Sequence, residues 1–66
     1  MTILLNGKES DARGAETIAE LVTRHELPPE SLLIEHNGVA LHRREWSKTN
    51  LTDGDRLEII RVVAGG

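Results

Sequence analysis

The residues of this chain best placed to do chemistry stand at its end, in Val62-Val63-Ala64-Gly65-Gly66. Two successive glycines carry no Cβ and have the widest backbone freedom, so they can thread a channel too narrow for other residues. They also set a carboxylate on Gly66 as the protruding reactive group. A carboxylate is a poor electrophile, but joined to AMP it gains a good leaving group, and Gly66 offers the least hindrance to attack at the acyl carbon. A sulfur nucleophile attacking there would leave a thiocarboxylate. The chain contains no Cys, so no internal thiol competes for an activated acyl group. A glycine pair at a frayed end is commonplace. This one gains meaning from its position directly after a β-branched run, where an extensible arm is useful.

No other constellation converges. The chain has no GxxxxGK[ST] phosphate loop, no GxGxxG dinucleotide turn and no GxSxG nucleophile elbow. His36 and His42, with Glu35 nearby, flank Asn37-Gly38, yet no second ligand pair accompanies them, and they read as solvated histidines at a hairpin mouth rather than a metal site. His25 at a helix end complements the negative end of the helix dipole or finishes an apolar stripe. Trp46 in Arg43-Arg44-Glu45-Trp46 reads first as a large side chain closing the open end of the core, and second as a partner anchor. Asp53 and Asp55 around Gly54 read as turn residues.

Composition narrows the function classes. At 66 residues the chain has room for one domain and little apolar area to spare for a deep cleft, which argues against an enzyme. A net charge of -3 and a single aromatic residue argue against binding nucleic acid, which rewards a basic surface and stacking platforms. The apolar run Ile3-Leu4-Leu5 is far too short for a signal segment or membrane span, so a cytoplasmic protein without membrane attachment is expected.

These residues need elements to position them. Ile3 and Leu5 alternate with polar or outward positions up to Asn6-Gly7, which predicts a strand and a hairpin returning near Lys8. Thr17 and Glu20 have capping-box spacing, and Ile18, Leu21, Val22 and His25 form one helical stripe. Pro28-Pro29 must stop that helix by about Leu27. Leu32-Leu33-Ile34, Asn37-Gly38 and Val39-Ala40-Leu41 predict a second hairpin, and Asp53-Gly54-Asp55 delivers the chain into a final strand from Leu57 to Val63. The order implies an α+β fold in which one helix packs across a sheet whose first and last strands lie parallel at its centre.

The segments Ile3-Leu4-Leu5-Asn6-Gly7, Glu16-Thr17-Ile18, Arg44-Glu45-Trp46, Asp53-Gly54-Asp55 and Val62-Val63-Ala64-Gly65-Gly66 together resemble the ThiS-type sulfur carriers of thiamine biosynthesis, along the full chain. The resemblance implies a ubiquitin-like β-grasp roll, a mixed sheet of about four to five strands with one main helix. Residues 1–63 would form the domain and residues 64–66 a flexible tail. It further implies that an E1-like adenylating enzyme consumes ATP to activate Gly66, that a cysteine-using donor system supplies sulfur, and that thiazole synthase receives it. The carrier would catalyse nothing and bind no cofactor or metal of its own. The small subunit of molybdopterin synthase, a ubiquitin-like modifier and an inert-tailed interaction domain are the competing readings. If Leu57 and Ile59 face the helix, Ile60 and Val62 turn outward beside Leu4, and that apolar patch is the expected docking face.

Overall fold

A computed structural model of the chain describes residues 1–62. β1 (Thr2–Leu5) and β2 (Lys8–Asp11) pair antiparallel, with Leu5 opposite Lys8. Asn6 and Gly7 join them at φ of 52° and 81°. Two successive positive φ values are what a two-residue type I′ turn requires, and Asn tolerates the first of them. Asn37 and Gly38 repeat the device between β3 (Leu32–His36) and β4 (Val39–Leu41), at φ of 50° and 86°.

Between the hairpins runs α1 (Ile18–Arg24). The Thr17 hydroxyl accepts from the Glu20 N–H at 3.2 Å, as the capping spacing predicts. The reciprocal half differs by one residue, because the Glu20 carboxylate accepts from the Glu16 N–H at 2.7 Å rather than from Thr17. The Glu16 carbonyl accepts from the Leu51 N–H and the Ile18 N–H donates to the Thr49 carbonyl, which holds the chain before the helix against the 49–51 strip.

The helix ends before the prolines act. Glu26 takes a left-handed φ of 55°, the Leu27 N–H returns to the Val22 carbonyl and the Glu26 N–H to the Thr23 carbonyl. That is a Schellman stop with glutamate in the place glycine usually fills. Pro29 then opens a 3-10 turn, Pro29–Ser31, that leads into β3.

β5 (Arg56–Arg61) completes a five-stranded sheet in the order β2-β1-β5-β3-β4, with β5 parallel to β1 and antiparallel to β3. The expected central pairing of the first and last strands is thus present, and the fold is α+β, a five-stranded mixed sheet with one main helix, as expected for a β-grasp roll. Strand β5 begins one residue earlier than predicted, at Arg56; Val62 continues past its end, its N–H reaching the Ser31 carbonyl.

The helix lies on one sheet face. Ile3, Ile18, Leu21, Ile34 and Leu57 are fully buried between the layers, each worth about 1.5–3 kcal/mol of transfer free energy. Trp46 sits on a 3-10 segment, Arg43–Lys48, and closes the open end of this core.

Candidate functional site

Strand alternation divides β5 into two faces. Leu57 is buried and Ile59 packs against the core, whereas Ile60 and Val62 are 51% and 48% exposed on the outward face. In the β3–β5 register Ile60 is opposite Leu33, itself 57% exposed, so an apolar pair lies at the end of the sheet from which the chain leaves.

Leu4 is also outward but belongs elsewhere. Its partner across the parallel ladder is Arg56, four residues before Ile60. At about 3.3 Å per residue this separates Leu4 from Ile60 by roughly 13 Å along the sheet. The expectation that Leu4 lies beside Ile60 and Val62 is therefore corrected: Leu33 is the neighbour. Only the register, set by the backbone bonds of Gly54, Asp55 and Leu57 to Thr2, Leu4 and Asn6, decides this.

Asn6 explains why β1 does not follow β5 to its end. Its Oδ1 accepts from the Ile59 N–H at 2.7 Å and its Nδ2 donates to the Ile59 carbonyl at 3.2 Å. A side chain thus replaces the next rung of the ladder while the backbone turns away into β2. Ala64, Gly65 and Gly66, expected to form the working tail, lie outside the described residues, as does Val63.

The two turns nearest the start of β5 are joined by a polar network that the sequence reading missed. Asp55 is 8% exposed. Its Oδ2 accepts from His36 Nε2 at 2.7 Å and from the Thr52 N–H at 2.8 Å, and its Oδ1 accepts from Asn37 Nδ2 at 3.1 Å. Burial by itself pushes this carboxyl up; the hydrogen bonds from His36, Asn37 and Thr52, with the His36 charge, outweigh it and hold Asp55 below the usual carboxylate value. His36 is accordingly a structural partner and not a solvated histidine, while His42 is exposed as expected. Asp53 is indeed a turn residue, accepting from the Thr2 N–H at 2.8 Å. His25, half-buried, places Nδ1 3.1 Å from the Leu21 carbonyl in the last helical turn.

A shallow groove of about 250 Å³ between α1 and the Trp46 segment has Arg43 as its one ionisable wall residue. Trp46 is buried, and its Nε1 has no hydrogen-bond partner among the described residues. Among those residues no group of three or more His, Cys, Asp or Glu is placed to hold a metal ion, and no helix is long and apolar enough to cross a membrane.

Known proteins resolve what this arrangement belongs to. The family model described as the ThiS family matches residues 3–66. A crystal structure of the thiamine biosynthesis protein ThiS from Geobacter metallireducens is 33% identical, superposes with a TM-score of 0.83 and is covered over 100% of both chains. An NMR solution structure of a thiamine biosynthesis protein from the same organism, also 33% identical, gives a TM-score of 0.78 over 100% of this chain and 88% of the other. An uncharacterised protein, ycf40, of Trieres chinensis is 25% identical over 65 residues, 98% of this chain and 89% of its own length. With the β-grasp sheet, the single helix and a family match that runs through the terminal glycines, the chain belongs to the ThiS family of sulfur carrier proteins of thiamine biosynthesis.

Proposed function

We propose that the Gly66 carboxylate is the sulfur-carrying group, on an extensible arm of residues 64–66 attached to a domain of residues 1–63. An E1-like activating enzyme joins the carboxylate to AMP from ATP with release of pyrophosphate. Cysteine-derived sulfur then displaces AMP to give the thiocarboxylate, and thiazole synthase takes that sulfur. ATP and cysteine-derived sulfur point to the cytoplasm as the compartment. The supporting observation is the ThiS family match continuing to residue 66, the second of two glycines just beyond the central strand. Unhindered Gly66 suits repeated nucleophilic attack at its acyl carbon.

Recognition is assigned to the outward face, with Ile60 and Val62 next to the tail and Leu4 at the far end of the same face. Leu33 joins Ile60 as an exposed apolar pair, a feature a solitary domain has little reason to maintain. Intact mass spectrometry after incubation with ATP, the activating enzyme and a cysteine-derived sulfur source tests the chemistry. A gain of about 16 Da, sulfur for oxygen at the acyl carbon, is expected, and deletion of Gly65-Gly66 abolishes it. An unchanged mass with an enzyme competent on another carrier overturns the proposal.

A further inference from the structure

The β3–β5 register sets Glu35 directly opposite Glu58, both exposed, on the same outward face as Leu33 and Ile60 and in the adjacent same-face pair. Like charges directly opposite in an antiparallel pair destabilise it, since their Cβ atoms stand only about 4.5–5.5 Å apart. Among the described residues neither glutamate is in an ion pair. Across β4 the partner of Glu35 is Ala40. Arg56 lies on the same face two residues before Glu58, but the ion pair found among the described residues is His36 with Asp55, and it engages neither glutamate. The folded domain thus maintains a repulsive pair at the border of an exposed apolar patch, on a chain already at net charge -3.

Such a face rejects some occupants. A second copy docking through the same patch about a two-fold axis would gather four carboxylates into one interface. A polyanion is repelled outright. The complement is a surface with an apolar centre for Leu33 and Ile60 and a cation at its edge, and a guanidinium, with five donors in a planar fork, can give each of two neighbouring carboxylates paired hydrogen bonds that a compact ammonium cannot match in geometry. An enzyme that brings a carboxylate up to the triphosphate of ATP must itself concentrate positive charge around that site. The patch lies at the sheet end that leads toward Gly66.

We propose that the outward face of β3 and β5 docks on the activating enzyme, with Leu33 and Ile60 entering an apolar patch and Glu35 and Glu58 together receiving an arginine at its rim. This rests on the adenylation reading above. It makes the glutamate pair a specificity element kept at the expense of domain stability.

The test is pyrophosphate release by the activating enzyme as carrier concentration is varied, for the wild-type chain and for Glu35→Gln with Glu58→Gln. The double variant is expected to raise KM about tenfold, leave kcat intact and flatten the salt dependence of kcat/KM, the marks of a lost interfacial charge contact. Its urea midpoint is expected to rise, because the repulsion is gone; a merely structural role would not raise stability and KM together. Unchanged KM and salt dependence in a folded double variant overturn the inference. An effect confined to sulfur transfer to thiazole synthase overturns the choice of partner. Failure of the wild-type chain to be adenylated overturns the adenylation reading itself.

Discussion

Asp55→Asn should lower stability by about 2 kcal/mol at neutral pH. The carboxylate accepts three hydrogen bonds, from His36, Thr52 and Asn37. An amide oxygen at the Oδ2 position keeps the first two as weaker, uncharged bonds, but the amide nitrogen then faces Asn37 Nδ2, donor against donor. One bond to a charged acceptor, about 1.5–3 kcal/mol, is lost and two are weakened. Asp55→Ala strands all three donors and should cost more, about 3–5 kcal/mol. A chain of 66 residues has a total of roughly 3–10 kcal/mol, so the Asn variant folds while the Ala variant approaches the threshold. The pH dependence supplies a second check. Asp55 has a folded value below its unfolded one. Its contribution is therefore full above the unfolded pKa of about 3.9 and is lost as acid carries the pH down through the lower folded value. Urea melts of both proteins at neutral pH and in steps below pH 4 read both effects. A wild-type minus Asn difference under about 0.5 kcal/mol at neutral pH, or one that persists unchanged in strong acid, would refute the reasoning.

Leu21→Ala removes a fully buried side chain between helix and sheet and should cost about 2–5 kcal/mol, seen as a lower urea midpoint at unchanged slope; a loss under about 1 kcal/mol would mean the layers close over the gap. Asn6→Gly keeps the left-handed turn but forfeits both bonds to Ile59, so exchange of the Ile59 amide should quicken, whereas Asn6→Ala adds about 1–2 kcal/mol of left-handed strain; equal stability of the two variants would contradict the turn argument. Ile60→Thr, at a half-exposed position and still β-branched, should leave the melt nearly unchanged while raising KM for adenylation severalfold, and an unaltered KM would remove Ile60 from the docking face.

The elements were legible in the sequence because their signals are local. Asn6-Gly7 and Asn37-Gly38 announce positive φ pairs, and Thr17 with Glu20 marks a helix start within one turn. Ile18, Leu21 and Val22 share a face at 3.6-residue spacing, so the helix and the surface it buries follow from the chain itself. Alternation along Leu57, Ile59 and Ile60 likewise showed which side chains of β5 face outward. The resemblance to sulfur carriers also rested on short segments, and the family match bears it out.

Contacts between distant residues were not legible, because no local pattern encodes which strand slides to which register. Leu33 rather than Leu4 lies by Ile60, and Glu35 faces Glu58, only because of the β3–β5 and β1–β5 alignments. Asp55 looked like an ordinary turn residue until the fold brought His36, 19 positions away, to 2.7 Å. Asn6 reaches Ile59 across 53 positions. Short-range propensity and periodicity thus determined the elements and their buried faces from the sequence alone. Register, and with it the charge pattern on the outward face and the partners of buried polar atoms, was decided by tertiary packing, since a strand shifted by two residues keeps its inward pattern but changes every neighbour.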